Sequence, residues 1–377
     1  MRLTYLDKMA TPPVGRRCYV RPVYLTPWDS AMCRDGAEPL MRLAGGWMGF
    51  SFVDVIYKTD DEIVAQRLSI QEWQERADDK QAAGQLLANL TAPRPDFATL
   101  SMAEPQIMGI VNATPDSFSD GGVNFAAKDG IANALEMAAQ GASILDVGGE
   151  STRPGAEPVG RAEEIRRITP SLEALSRAGH IVSADTRHTD VMAQAAMAGA
   201  PIINDVGGFR DEGAPELMGR LATSSAGGYA IAMHMQGTPE TMQKNPHYDF
   251  APLDVYDWLE ERIACLQSAG VPLSHIAIDP GFGFGKTAQH NLEIINWTSL
   301  FHGLGVPILI GVSRKSSIAK LSKDEPAHER LGGSLALTLR SIEQGAQIIR
   351  THDVAQTGQA IAIYRQTLGA GLGEQRQ

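Results

Sequence analysis

The sequence predicts an α/β protein: a (β/α)8 barrel, of the TIM-barrel type, with a small N-terminal α+β extension. Three observations carry this. From Pro105 onward, short continuous apolar runs alternate with helical stretches, the pattern of a parallel sheet buried on both faces. Eight such units fill about 265 residues, the usual size of a single barrel. The first 104 residues break the pattern: they hold three of the five Trp, four of the eight Tyr and none of the nine His. A doubly wound open sheet is the alternative, but such sheets more often hold about five to seven strands. The chain therefore divides into 1–104, an α+β extension of unknown role, and 105–377, the barrel.

In the extension, Tyr19–Leu25 and Gly49–Lys58 read as strands, the second rich in β-branched and aromatic residues. Ser69–Leu90 reads as one helix, with Ser69 as its cap and Glu72 three residues on. Ala92–Glu104 reads as a linker or extended lead-in. The Trp and Tyr residues of this part read as packing rather than as a ligand cage. In the barrel the strands are expected at Gln106–Val111, Ser143–Val147, Ile181–Ala184, Pro201–Ile203, Tyr229–Met233, His275–Ile278, Pro307–Ile310 and Gln347–Ile349. The helices are expected at Ile131–Gln140, Arg161–Arg177, Asp190–Met197, Glu216–Thr223, Leu253–Ser268, Leu292–Leu300, His328–Gln344 and Gln356–Leu368.

Every strand ends on a polar residue: Asn112, Asp146, Asp185, Asn204, His234, Asp279, then Ser313 and Lys315, then Arg350. One Asp or Asn after a strand is usually a helix cap. Eight polar ends that meet on one rim, where barrel active sites lie, read instead as a shared ligand site. Asp185, Asn204 and Asp279 suit the N–H and exocyclic amine edge of a heteroaromatic ring. Lys315 and Arg350 suit ring carbonyl or phosphate oxygens. The polar, Gly-containing stretches 112–122 and 148–155 read as loops that close over substrate, or as plain surface turns. Asp279–Thr287 tempts a phosphate-loop reading, but Pro280 stands where that motif needs its first Gly. Ser316 or Ser317, as a helix N-cap, would leave free N–H groups for an anion.

Composition excludes several classes. The net charge of −11 argues against general nucleic-acid binding. No apolar stretch approaches the length of a membrane span, and the N-terminus lacks the apolar core of a secretory signal. Cys18, Cys33 and Cys265 are too few and scattered for a disulfide framework or zinc site, so a cytoplasmic location is expected. A hard cation such as Mg²⁺, held by few protein oxygens plus phosphates, would leave a faint trace; Asn112 is the candidate ligand.

At this point the residues carry a resemblance. IMGIVNATPDSFSDGG (107–122) and GASILDVGGESTRPGA (141–156) resemble the two signature segments of dihydropteroate synthases. SADT (183–186), IINDV (202–206), MHMQGTPETMQ (233–243), IDPGFGFGK (278–286), GVSRKS (311–316) and IIRTHDV (348–354) follow in the same order. The resemblance covers about residues 105–370. It implies a transferase of folate (tetrahydrofolate) biosynthesis, joining 6-hydroxymethyl-7,8-dihydropterin pyrophosphate to 4-aminobenzoate with Mg²⁺ assistance, usually as a homodimer. It implies that Asp185, Asn204, Met233, Asp279, Lys315 and Arg350 hold the pterin, and that Asn112, Thr152, Arg153, Arg350 and His352 face the pyrophosphate. Phe118, Pro154, Phe284 and Ser316 would form the aminobenzoate site. Asp120, Arg153, Lys315, Arg350 and His352 would be the catalytic set, an ionised Asp120 stabilising a cation-like transition state. SADT stands where the family often has SVDT, which leaves Asp185 in place. Two other readings share the barrel: a methyltransferase that takes a methyl from methyltetrahydrofolate, and a non-catalytic pterin-binding paralogue. A methyl donor would need no pyrophosphate site. The expected partners are small-molecule substrates, with no nucleic acid and no membrane.

Overall fold

The computed structural model describes residues 1–6, 17–28, 40–77, 79–113, 123–151, 159–224 and 227–370. The front part holds β1 (Arg2–Tyr5), β2 (Cys18–Val23), β3 (Thr26–Pro27), β4 (Met41–Arg42), β5 (Met48–Phe50), β6 (Phe52–Lys58) and β7 (Glu62–Ser69). They form one sheet in the order β1-β7-β6-β2 and a smaller one in the order β3-β5-β4. Because side chains alternate across a strand, the larger sheet has two apolar faces. Val20, Val53, Val55 and Leu68 build a local core with Phe50, Trp73 and Leu90. Tyr19, Ile56, Ile63 and Ala65, from the other register, join the core of the barrel.

Two helices replace the one expected over Ser69–Leu90: α1 (Ile70–Arg76) and α2 (Lys80–Thr91). Ser69 caps α1 in a capping box with Glu72, as its spacing requires. The helix then stops because Ala77 is extended and Asp79 caps a new one, accepting from the Ala82 N–H at 2.9 Å.

The stretch expected to be a linker is a plug. Phe97 and Leu100 exchange backbone hydrogen bonds of 2.9 Å across a turn in which Ala98 and Thr99 take positive φ. This seats Phe97 and Met102, both fully buried, against Met108, Ile144, Ile202, Ile231, Ala277, Leu309 and Ile348, near the N-terminal ends of the barrel strands.

The barrel itself runs β8 (Gln106–Asn112), α3 (Val123–Ala139), β9 (Ile144–Gly148), α4 (Arg161–Arg177), β10 (Val182–Asp185), α5 (Thr189–Met197), β11 (Ile202–Asp205), α6 (Ala214–Ala222), β12 (Tyr229–Met233), α7 (Ala251–Ser268), β13 (Ile276–Asp279), α8 (Ala288–Asn296), β14 (Leu309–Ile310), α9 (Ser316–Leu321), α10 (Leu331–Glu343), β15 (Ile348–Thr351) and α11 (Val354–Gly369). All eight strands are parallel, ordered β13-β12-β11-β10-β9-β8-β15-β14. Between β13 and β14 the ring closes through a single bridge, Ile278 to Ile308. The helix expected at Leu292–Leu300 ends instead at Asn296, and a 3-10 segment follows over Thr298–Leu304. That segment is buried because the front part lies on it. Ser299 Oγ donates to the Pro22 carbonyl (2.9 Å), Arg94 Nη2 to the His302 carbonyl (2.9 Å) and Asn89 Nδ2 to the Gly303 carbonyl (2.8 Å). Tyr19 Oη donates to the Asp257 carboxylate on α7, and Trp47 Nε1 to the Ile342 carbonyl on α10. Among the described residues no helix is long and apolar enough to cross a membrane.

Candidate active site

The C-terminal ends of the strands place the polar residues on one rim, as their positions require. Asp146, at the middle of β9, is fully buried and is the hub. Its Oδ2 accepts from Arg350 Nε at 2.6 Å and from Asn204 Nδ2 at 3.0 Å. Arg350 also donates through Nη2 to Asp185 Oδ2 at 2.7 Å. One guanidinium therefore ties β15 to β9 and β10 across the barrel mouth. Burial and the neighbouring Asp146 hold Asp185 above the ordinary carboxylate range, while Arg350 and Lys315 pull it back. Asp146 Oδ1 and Asp185 Oδ1 are buried without a hydrogen-bond partner. Such an acceptor costs about 1–3 kcal/mol until a donor reaches it, so the pair is prepared for a ligand rich in N–H groups.

Asp279 ends β13. Its Oδ1 accepts from the Gly281 N–H at 2.7 Å, and burial raises its pKa to about 6. Gly281 has φ +73°, and a Cβ there would lie 1.9 Å from the His234 carbonyl, so this turn requires glycine. Behind it lies Lys286, which sequence reasoning passed over with the failed phosphate-loop match. Its Nζ donates to the Gly281 carbonyl (3.0 Å), the Phe284 carbonyl (3.1 Å) and His234 Nδ1 (2.8 Å). Burial lowers Lys286 to about 7 and, with Lys286 beside it, pushes His234 well below the usual histidine range. The clue in the sequence was the lysine directly after a Gly-Phe-Gly-Phe-Gly run.

Lys315 Nζ stands 3.9 Å from the centre of the Phe284 ring. Met233 is buried beside Phe284, Val206, Met235 and Met242, an apolar wall on the same side of the mouth. Ser313 Oγ and His352 Nδ1 are 3.0 Å apart, which sets the orientation of the His352 ring. Asn112 is exposed at the end of β8. The serine N-cap expected at 316 or 317 is shifted by one residue: Lys315 is the N-cap of α9, and Ser316 is exposed in its first turn. Asp120, Phe118, Thr152, Arg153 and Pro154 lie outside the described residues.

Residues 108–352 match the family model described as "Pterin binding enzyme". The chain is 45% identical over 278 residues to a dihydropteroate synthase of Neisseria meningitidis, covering 72% of this chain and 96% of that protein. To the Escherichia coli dihydropteroate synthase it is 42% identical over 273 residues, covering 72% and 95%. The Xanthomonas albilineans dihydropteroate synthase solved with 4-aminobenzoic acid superposes with a TM-score of 0.68 at 41% identity, covering 74% of this chain and 99% of that one. On the shared barrel, the ordered motifs and this identity, the chain belongs to the dihydropteroate synthase family of pterin-binding transferases.

Proposed function

We propose that this chain catalyses the synthase reaction through the rim just described: the pterin carbon–oxygen bond to pyrophosphate breaks, and the amine of 4-aminobenzoate attacks the exposed methylene carbon. The observation that carries the reading is the pair of buried, unpartnered carboxylate oxygens on Asp146 and Asp185, held by one arginine beside Asn204. A pterin presents ring N–H and amine donors to acceptors of this kind, and a site so built rejects rings without them.

Asp185, Asn204 and Asp279 hold the donor edge of the pterin, and Lys315 its carbonyl side, with Met233 and Arg350 against the ring. Arg350 and His352, with Thr152 and Arg153 of the second loop, face the pyrophosphate. Asp120 stabilises the positive charge that develops as the leaving group departs. Phe118, Pro154, Phe284 and Ser316 form the aminobenzoate pocket. The aniline is neutral, so the chain need not supply a strong base. Loop closure keeps water from capturing the carbon. The single neutral oxygen of Asn112, exposed at the strand end, fits a hard cation that takes its other ligands from phosphate and water. Mg²⁺ bound there would neutralise charge on the leaving group. The protein works in the cytoplasm as a homodimer, the state usual in the family.

Purified chain given both substrates should release one pyrophosphate per dihydropteroate formed. No methyl transfer is expected from methyltetrahydrofolate. Methyl transfer without pyrophosphate release would replace this reading by the methyltransferase one, and pterin binding without turnover would replace it by the paralogue.

A further inference from the structure

Beside the site, on the outer side of the β9 and β10 ends, lies a second cluster: Glu150, Glu164 and His188. One ligand atom from each lies within 4.8 Å of the others. We propose that these three residues bind a divalent cation of the Zn²⁺, Mn²⁺ or Co²⁺ class. An acidic cluster alone would say little. Here a second observation points to a ligand: Glu164 is 1% exposed, and neither of its carboxylate oxygens has a partner at ordinary hydrogen-bond geometry, the Thr186 hydroxyl being near enough only to favour the charged form.

The local backbone is built around that side chain. A Cβ on Gly149 would lie 3.1 Å from Glu164 Cγ and 2.9 Å from Ile168, so glycine at the end of β9 lets the glutamate stem lie against the strand. Glu150 is itself held in place. Its Oε2 accepts from Arg187 Nε at 2.9 Å and its Oε1 from the Val159 N–H at 3.1 Å. A carboxylate has about four acceptor positions, so these bonds leave room for a metal. His188 is half-buried, and one of its ring nitrogens lies within 4.8 Å of ligand oxygens of both carboxylates. Burial, Glu150 and Asp185 raise Glu164, with Thr186 and Arg187 opposing. Two carboxylates and one imidazole suit borderline cations better than Mg²⁺.

The placement gives the site a task. Glu150 and Val159 bracket residues 152–158, and a cation on Glu150 joins that bracket to α4 through Glu164 and to the start of α5 through His188. It fixes the base of the second loop next to Asp185.

The test uses the full chain, stripped of metal and free of pterin and pyrophosphate. Mn²⁺ binding is followed by the free-ion EPR signal, and Co²⁺ binding by its visible absorption. One cation per chain is expected. Glu164→Gln, which keeps the shape, should weaken binding at least tenfold. His188→Ala should do the same and change the Co²⁺ bands as a nitrogen ligand is lost, while Asn112→Ala leaves the affinity as it was. Absence of stoichiometric binding, unchanged wild-type affinity in the two cluster variants, or loss of the cation in Asn112→Ala would overturn the proposal. If Glu164→Gln does not fold, the half-buried His188→Ala decides.

Discussion

Arg350 is first of all a salt-bridge partner. Sequence position alone assigned it to ring or phosphate recognition; the structure has it bonded to Asp146 and Asp185 at once. Asp146 positions Arg350 and Asn204 through its Oδ2, while its buried Oδ1 stays open to a donor from a ligand. Asp146→Asn should leave the fold intact, because Asn204 and Arg350 keep an oxygen to bind, yet loosen Arg350. We expect kcat/KM for the pterin substrate to fall roughly tenfold to a hundredfold, as for other supporting-shell groups. An unchanged kcat/KM would count against the hub. Asp120→Asn should behave differently: kcat should fall far more than pterin affinity, because its charge matters only as the cation develops. Equal losses in both would remove the transition-state role.

These residues differed in how far the sequence revealed them. Asp185, Asn204 and Asp279 were legible because each directly follows a continuous apolar run. Lys286 was not, because a lysine after a glycine run looks like a surface turn, and only the three acceptors around its Nζ show that it is internal. Glu164 was hidden for another reason. In the first turn of α4 an acidic residue ordinarily serves the helix dipole.

At the level of elements, the least legible was the plug. Phe97, Leu100 and Met102 are spaced too sparsely among Pro and polar residues to give any periodicity, yet Phe97 and Met102 fill the barrel mouth opposite the site. Phe97→Ala should destabilise the protein by about 3–5 kcal/mol, the usual cost for a large buried aromatic side chain. A denaturant melt showing less than about 1 kcal/mol would mean that the barrel closes without it. The 3-10 segment gives a pH prediction. His302 is fully buried, and desolvation with Arg94 nearby depresses it to about 3. The unfolded chain therefore takes up a proton that the folded one refuses between about pH 6.5 and 3. Stability from this residue is complete above 6.5 and is lost as the pH falls. His302→Gln should remove about 3 kcal/mol of the loss seen between pH 7.5 and 4.5, read as a shallower acid-side decline of the unfolding midpoint.

For the whole molecule, composition located the boundary near residue 104 but not what the first part does. The contacts show it covering α7, α10 and the 3-10 segment, with Tyr19, Ile56 and Ile63 inside the barrel's own core. A chain beginning at residue 105 would lose the plug and this cover together. It should be recovered mainly as aggregate, and any monomer should melt well below the full chain; a soluble fragment of equal melting temperature would show the front part to be dispensable for folding. The net charge of −11 also gains a location. Part of the acidity facing the site is offset locally, Asp146 and Asp185 sharing Arg350 and Glu150 bonded to Arg187, so an anionic substrate meets a rim less negative than these carboxylates alone would make it.

The single bridge between β13 and β14 has a kinetic consequence. A ring of strands opens where its ladder is shortest, and here one bridge closes it, with Asp279 on one side and Lys315 on the other. Local opening at such a place exposes amides to solvent deuterium far more often than global unfolding does. The Ile278 amide, which donates to the Pro307 carbonyl at 3.0 Å, should therefore exchange faster than its counterparts inside β10 or β11. If the proposed pterin site is right, a pterin held by both Asp279 and Lys315 would span the gap, and its arrival should slow that exchange more than exchange anywhere else in the ring.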